Sequence, residues 1–368
     1  MEDTRLKRIE KWLKNGYAEP WHMQLQPTAR CNLRCKFCWS NKYKRREPDL
    51  SDEKWKEITR EACEIGVKAL TIVGGGEPLI RINLVREMTK MIKDYNIDGT
   101  IVTNGTLITS EFAKHLVDIR WDTIAISIHG VGQTDNYLRG SKKAFQMTMN
   151  SIKLINKHKK AAKSDKPNIV FHGVITRQNV KELVELFMLA KKCMVGTFVL
   201  RMVNDNLENP RYYITKNQYS LLESQIKEIV KLSVEYGIDL DWQMSLEDVK
   251  NKLFGNSDSK TIKQDEEEKD IHISCVRPFT EMVVIPDGTV GPCCAFCEGK
   301  YSRDRILMEN VLKFLENVND KSLNQIWRGE KFNDFRELAK NGKLPLYCER
   351  TCPADYIYLE KSGKLLYR

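Results

Sequence analysis

Strand and helix signals alternate along most of this chain, and that alternation limits the possible fold more than any other feature. Short β-rich runs at His22–Thr28, Ala69–Val73, Gly99–Thr103, Thr123–Ile128, Asn168–Ile175 and Thr197–Met202 are each followed by helical periodicity, at Ser51–Ile65, Ile82–Lys93, Ser110–Ile119, Lys142–His158, Asn179–Lys192 and Lys216–Tyr236. Strands that alternate with helices pair in parallel through right-handed crossovers. Six such units predict an α/β fold with a partial (β/α)6, TIM-like barrel. In parallel architectures the functional groups collect at the carboxyl ends of the strands.

The first strand runs into Cys31-Asn-Leu-Arg-Cys35-Lys-Phe-Cys38-Trp39, three thiols within eight positions. Thiols this close cannot all pair as disulfides. A zinc knuckle wants a fourth nitrogen or sulfur ligand nearby, and the spacing of three residues then two offers none locally. Cysteine thiolate is the usual ligand of [4Fe–4S] centres, and three on one loop leave one iron open to a chelating ligand. The bacterial ferredoxin run C-x2-C-x2-C-x3-C-P has different spacing and fills every position, so plain electron carriage is the weaker reading. Three buried cysteines can also pack as small hydrophobes, but thiols rarely cluster by accident in a reducing compartment.

The remaining strand ends carry Gly74-Gly75-Gly76-Glu77-Pro78, Thr103-Asn104-Gly105, Ser127-Ile128-His129-Gly130 and Arg201. Consecutive glycines let a backbone approach a ligand closely and turn its polar groups toward it. The run C-x3-C-x-aromatic-C resembles the signature of the radical S-adenosylmethionine (radical SAM) enzymes. The resemblance implies that Cys31, Cys35 and Cys38 ligate a [4Fe–4S] cluster, that SAM chelates the open iron, and that SAM is cleaved to a 5′-deoxyadenosyl radical. It further implies that Phe37 lies against the adenine and that Gly75, Gly76 and Glu77 contact the SAM amino group. Asn104, Ser127 and Arg139, the last within Tyr137-Leu-Arg-Gly140, are implied at the ribose and methionyl carboxylate. Arg201 is placed among the cofactor-side residues and, with His22, Gln24, Gln26 and His172, on the cavity wall. Where relatives commonly have Asp this chain has His129, assigned either to substrate or to a structural hydrogen bond.

A second group of thiols follows a polar stretch, Asn256 to Asp270, that reads as a surface linker. Asp287-Gly288 between two β-rich runs predicts a hairpin that brings Cys275 and Cys293 together. Cys294, Cys297, Cys348 and Cys352 come after it. This order resembles the C-terminal SPASM or SPASM-like extension of radical SAM enzymes, which binds auxiliary iron–sulfur clusters. The resemblance implies one auxiliary [4Fe–4S] cluster held by Cys275, Cys293, Cys348 and Cys352. Cys294 and Cys297 stay open between structural, ligand and hydrogen-donor roles. Four thiolates would satisfy zinc equally well.

The chain is long enough, at 368 residues, for a large and a small domain. The expected division is an N-terminal amphipathic helix in 1–20 with Leu6, Ile9, Trp12 and Leu13 on one face, a barrel in 21–255, a linker in 256–274 and an auxiliary-cluster domain in 275–368. No apolar run approaches a membrane span and no h-region marks a secretory signal, so a cytoplasmic protein is expected. The net charge of +10 is dispersed apart from seven Lys/Arg between Arg30 and Arg46 and six lysines between Lys153 and Lys166, and nucleic acid is not the expected partner. The function expected is hydrogen abstraction from a carbon of a polar substrate, a sugar, a nucleotide-linked metabolite or a peptide, with a reductase such as flavodoxin or ferredoxin supplying electrons. The alternatives are a non-catalytic iron–sulfur electron-transfer or scaffold protein and a zinc-dependent nucleic-acid-binding protein.

Overall fold

The structure, a computed structural model, describes residues 4–38, 40, 48–203, 210–242, 245–254, 271–352, 357–360 and 365–367. Most of the expected linker and of the Arg30–Arg46 basic run's second half lie outside these residues. Among the described residues no helix is long and apolar enough to cross a membrane. The chain folds into two compact units, one drawn from 1–30, 43–100 and 269–368, the other from 31–42 and 101–268.

In the first unit, strand β1 (His22–Leu25) pairs in parallel with β2 (Ala69–Ile72), as the alternation predicts. Each strand buries every second residue, and each is followed by a helix, Asp52–Glu64 capped by Ser51 and Ile82–Asp94. β3 (Asp98–Thr103) then carries the chain toward the second unit. On its other edge β1 pairs in parallel with a strand from the C-terminal region, β9 (Glu281–Val284). β9 turns through Pro286-Asp287-Gly288 into antiparallel β10 (Thr289–Gly291), the predicted hairpin, with Gly288 at φ +85°. A single residue with positive φ is what glycine permits at low cost.

The expected N-terminal helix spans Arg5–Asn15, capped by Thr4 and closed by Gly16 in the left-handed region. Ile9 and Trp12 are buried against Ala18, Ile273, Val276, Phe279 and Ala339, with the Trp12 and Phe279 rings edge to face at 4.8 Å. Burying a large apolar side chain contributes roughly 1.5–3 kcal/mol. Trp327 Nε1 adds a 2.8 Å hydrogen bond to Ala18 O.

In the second unit β4 (Thr123–Ser127), β5 (Asn168–Ile175), β6 (Thr197–Met202) and β7 (Asp239–Trp242) are successive parallel neighbours. β7 is an addition to the six predicted strands. Its sequence, Asp-Leu-Asp-Trp, has too few apolar residues to announce a buried strand. Helices Ser110–Asp118, Ala144–Ala162, Leu183–Lys192 and Tyr219–Tyr236 follow the strands as predicted, and a short helix, Gln133–Leu138, is inserted after β4. On one sheet face Val102, Ala125, Val170 and Val199 pack as an apolar layer. Since side chains on one face recur every second residue, the next layer toward the carboxyl ends consists of Asn104, Ser127, His172 and Arg201.

Candidate functional site

The Cys31–Cys38 loop is tied down by groups of its own unit. Asn32 Nδ2 donates to Thr106 Oγ1 (2.9 Å), and Asn104 Nδ2 donates to Asn32 Oδ1 (2.8 Å). Thr106 donates its N–H and its hydroxyl to Asn104 Oδ1, at 2.9 and 2.7 Å. Lys36 N donates to Leu138 O (2.8 Å), and Cys38 N to Cys35 O (3.1 Å). Gly140, at φ +65°, permits this approach, because a Cβ there would stand 2.5 Å from Arg34 O. Expected at the ribose and methionyl carboxylate with Asn104 and Ser127, Arg139 is found with no exposed side-chain surface, supporting Asn104. It donates to Asp135 Oδ2 (3.1 Å), to Thr148 Oγ1 (2.9 Å) and to the Asn104 carbonyl. Burial raises the Asp135 carboxyl, against the pull of Arg139. Burial also pushes the Cys35 thiol up to about 12, with Cys38 and Cys31 adding to the effect and Arg139 opposing it.

Phe37 packs on Leu138, Val203 and Tyr212 and meets His129 edge to face, with centroids 4.7 Å apart. His129 Nδ1 accepts from Val174 N (3.1 Å), its own N–H donates to Asp135 Oδ1 (2.8 Å), and its carbonyl accepts from Asn179 Nδ2. An accepting Nδ1 fixes the neutral tautomer with the proton on Nε2. Burial also holds this imidazole well below its ordinary range, Arg139 and His172 adding to the effect. His129 is thus a hydrogen-bonded structural residue.

Above the apolar layer the polar one is completed by Asp241 of β7, which the sequence did not single out. Arg201 NH2 donates to Asp241 Oδ2 (2.7 Å), and NH1 donates to the Leu200 and Asp241 carbonyls (both 2.9 Å). The pair is partly exposed. Ser127 stands opposite His172 in the β4–β5 register. Burial, aided by Arg201, lowers His172 to about 4.

The glycine run lies in the first unit, against the segment leading into the cysteine loop. Gly76 N donates to Thr28 O (3.1 Å) and Glu77 N to Arg30 O (2.8 Å). A Cβ on Gly76 would stand 2.0 Å from Arg30 O, so the close approach needs glycine. Glu77 is buried and accepts from Leu79 N (3.0 Å), starting the turn Pro78–Arg81. Gly75 is buried beside it. Asp49, missed in the sequence, clamps the same segment, accepting from Thr28 Oγ1 (2.5 Å) and Ala29 N (2.9 Å). His22 Nε2 shares a 2.9 Å hydrogen bond with Thr71 Oγ1.

The second thiol group belongs wholly to the first unit. Cys275 lies between β8 (Ile271–Ile273) and the helix Arg277–Thr280, and Cys293 caps the helix Cys294–Glu298, its Sγ accepting from Phe296 N at 3.4 Å. Cys348 and Cys352 lie on and just after the helix Leu346–Thr351. An aromatic cluster joins these helices: Phe296 meets Phe335 at 5.1 Å and Tyr347 at 5.8 Å. Burial pushes Cys275 and Cys293 up to about 12, and Cys352 adds to both. Cys348 is raised by burial and then by Cys293, Cys275 and Cys352, so these four thiols lie within reach of one another's charge. Cys297 is different: it is fully buried among Val283, Ile285, Phe296, Val311 and Phe335. All eleven cysteines are thiols, none in a disulfide.

Among the described residues no three His, Cys, Asp or Glu side chains close on a point as a single ion requires. A cubane spreads its sulfurs more widely than one ion does. The donors here are all sulfur, and buried thiols held protonated become thiolates when iron shares them. The donor chemistry of both groups therefore fits iron–sulfur clusters, with three thiols on the loop and six in the second group.

A parallel α/β barrel segment with a three-thiol loop and a separate thiol-rich region defines an iron–sulfur enzyme class. Residues 25–190 match the Radical SAM superfamily and residues 275–353 the SPASM iron–sulfur cluster-binding domain, and the chain belongs to the radical SAM enzymes that carry this domain. The class takes a [4Fe–4S] cluster and SAM in the barrel, with auxiliary iron–sulfur binding in the C-terminal domain. The chain is 26% identical over 329 residues to the tungsten-containing aldehyde ferredoxin oxidoreductase cofactor-modifying protein of Pyrococcus furiosus, covering 88% of this chain and 85% of that protein. It is 30% identical to the Fe-coproporphyrin III synthase of Methanosarcina barkeri over 173 residues, 47% of this chain and 40% of that one. In fold it is similar to Streptococcus suis SuiB bound to its precursor peptide SuiA, with a TM-score of 0.64 at 18% identity over 90% of this chain and 70% of SuiB.

Proposed function

We propose that this protein is a hydrogen-abstracting radical SAM enzyme acting on a polar substrate at the carboxyl ends of the second unit's strands. When bound, the loop cluster and SAM supply a 5′-deoxyadenosyl radical that takes a hydrogen atom from a substrate carbon. The protein orients and excludes. Cys31, Cys35 and Cys38 hold three irons, and the Asn32–Thr106–Asn104 ladder and Gly140 fix the loop that presents them. Phe37 offers an apolar ring toward adenine, Asn104 and Ser127 offer polar groups to the ribose and carboxylate, and Gly75, Gly76 and Glu77 offer backbone and acid groups to the amino end of SAM.

The substrate's polar groups meet His172 and the Arg201–Asp241 pair. His172 stays neutral there, so the one strong cation–anion element of this layer is a pair already oriented by two backbone carbonyls. That favours a substrate with hydrogen-bonding groups over a hydrocarbon, and it is compatible with the peptide of SuiB or with a small cofactor. Electrons come from a flavodoxin- or ferredoxin-type reductase. Cys275, Cys293, Cys348 and Cys352 hold one auxiliary cluster.

The observation that carries this reading is the three-thiol loop fixed by neutral hydrogen bonds beside Phe37 and above the layered strand face. The test is anaerobic reconstitution with iron and sulfide, followed by SAM and dithionite. Production of 5′-deoxyadenosine supports it, and a colourless protein that takes up zinc but no iron removes it.

A further inference from the structure

One charge that the proposed reaction does not use lies beside the second thiol group. Arg277 opens the helix Arg277–Thr280 two residues after Cys275. Its NH1 donates to Glu281 Oε2 at 2.7 Å, and Glu281, only 5% exposed, is held on its other oxygen by Arg5 NH2 at 3.3 Å. Glu281 itself is fixed as the first residue of β9, in register with His22 of β1. The guanidinium is thus pinned, and it is in range of Cys275, Cys293 and Cys294, whose thiols it pulls down against burial. The Cys275 sulfur also accepts from the Arg277 backbone N–H.

Four thiolates around a cubane make a net anion in both redox states, and an added electron is opposed by that charge where the surroundings are dry. Cluster potentials follow net charge, hydrogen bonds to sulfur and solvent exposure. The thiols are only partly exposed, so a cation held in range of them is a counterweight even though Arg277 is 28% exposed and paired with Glu281. We propose that Arg277, oriented by Glu281, is a positioning residue that raises the reduction potential of the auxiliary cluster, making it a better electron acceptor than its thiolates alone would allow. This rests on the auxiliary-cluster reading of Cys275, Cys293, Cys348 and Cys352. Arg5, Glu281 and Arg277 together leave one positive charge, and Glu281 partly offsets the cation nearest the sulfurs.

The test uses the full chain with Cys31, Cys35 and Cys38 replaced by Ala, reconstituted anaerobically so that the remaining iron is the auxiliary cluster's. Its midpoint potential is read by redox titration monitored by electron paramagnetic resonance. Arg277→Gln is expected to lower the reduced-to-oxidised ratio at fixed potential at least tenfold, a shift of about 59 mV or more for one electron. Arg277→Lys is expected to recover most of it, and Glu281→Gln to move the potential the other way. A merely structural Arg277 would lose iron without these opposed shifts. If Arg277→Gln cannot hold iron, Glu281→Gln decides. An unchanged potential in Arg277→Gln with iron intact, or in Glu281→Gln, overturns the proposal and leaves the cluster standing. A triple-alanine protein that binds no iron overturns both.

Discussion

The loop thiols and the C-terminal thiols solve the same problem in opposite ways. Cys31, Cys35 and Cys38 come from eight consecutive residues and are braced by polar groups, the Asn32–Thr106–Asn104 ladder and buried Arg139. Cys275, Cys293, Cys348 and Cys352 come from three separate segments and are braced by a hairpin and an aromatic cluster around Phe296. A single short loop presents three sulfurs and leaves a vertex for another ligand, whereas a site assembled by the fold can close all four. Local construction therefore leaves room for a further ligand, and dispersed construction does not.

The largest test of that contrast is to remove each set in turn. Replacing Cys31, Cys35 and Cys38 by Ala is expected to abolish 5′-deoxyadenosine formation while about half of the iron remains, four of roughly eight atoms for two cubanes. Replacing Cys275 and Cys348 by Ala is expected to lose the other half and leave SAM cleavage detectable. Iron analysis and chromatography of the nucleoside products decide. Loss of both clusters on either change would mean that the two sites do not assemble independently.

Next in size is the polar bracing of the loop. Arg139→Met is expected to cost about 3–5 kcal/mol, because it leaves Asp135 buried without its charge partner and takes one of two donors, Thr148 being the other, from the Asn104 carbonyl. Chemical denaturation of the metal-free protein measures it. A cost under about 1 kcal/mol would show that the loop does not depend on this pair.

What could be read in the sequence divides along the same line. The six strand–helix units, the three-thiol loop and the Asp287-Gly288 hairpin are local patterns, and periodicity or spacing reveals them directly. β7 was hidden because two of its four residues are aspartates, one exposed at its start and the other, Asp241, paired with Arg201 in the polar layer. The parallel seating of β9 on β1 joins segments some 260 positions apart, and no local pattern encodes that. The bracing residues were hidden for a related reason: Asn32, Thr106, Asp135 and Asp49 look like ordinary loop polar groups until the fold brings their partners to them. Cys297 and Cys293 are chemically alike in the sequence, and in the structure they share one apolar cluster, Cys297 fully buried in it and Cys293 partly buried at its edge.

Acid separates the regions further. His172 falls from its ordinary value to about 4 because it is partly buried and lies near Arg201, so the unfolded chain binds more protons than the folded one between pH 6.5 and 4. Stability at this residue is full above pH 6.5 and is lost as the pH falls through that window, by no more than about 3 kcal/mol. The difference between wild type and His172→Gln in urea midpoints across pH 4–7 measures the effect. A parallel pair of curves would mean that the imidazole is solvated.

The smallest effect concerns Cys297, a thiol of the second group outside the proposed ligand set. Cys297 fills the space over Gly291, where an added Cβ would stand 2.7 Å from its sulfur and 2.7 Å from Leu315. Cys297→Ala removes one buried atom, so it should cost on the order of 1 kcal/mol and leave the iron content unchanged. Gly291→Ala should cost about 1–3 kcal/mol by overpacking. Combining them puts the new methyl where the sulfur was, and the double variant should be more stable than the two single costs added together, a coupling of about 0.5 kcal/mol or more. Strict additivity would mean that Leu315 yields and Cys297 is not the atom that fills the site. Loss of iron in Cys297→Ala would move this residue from the core to the ligand set, and the dispersed site would then draw on both halves of the Cys293–Cys297 run.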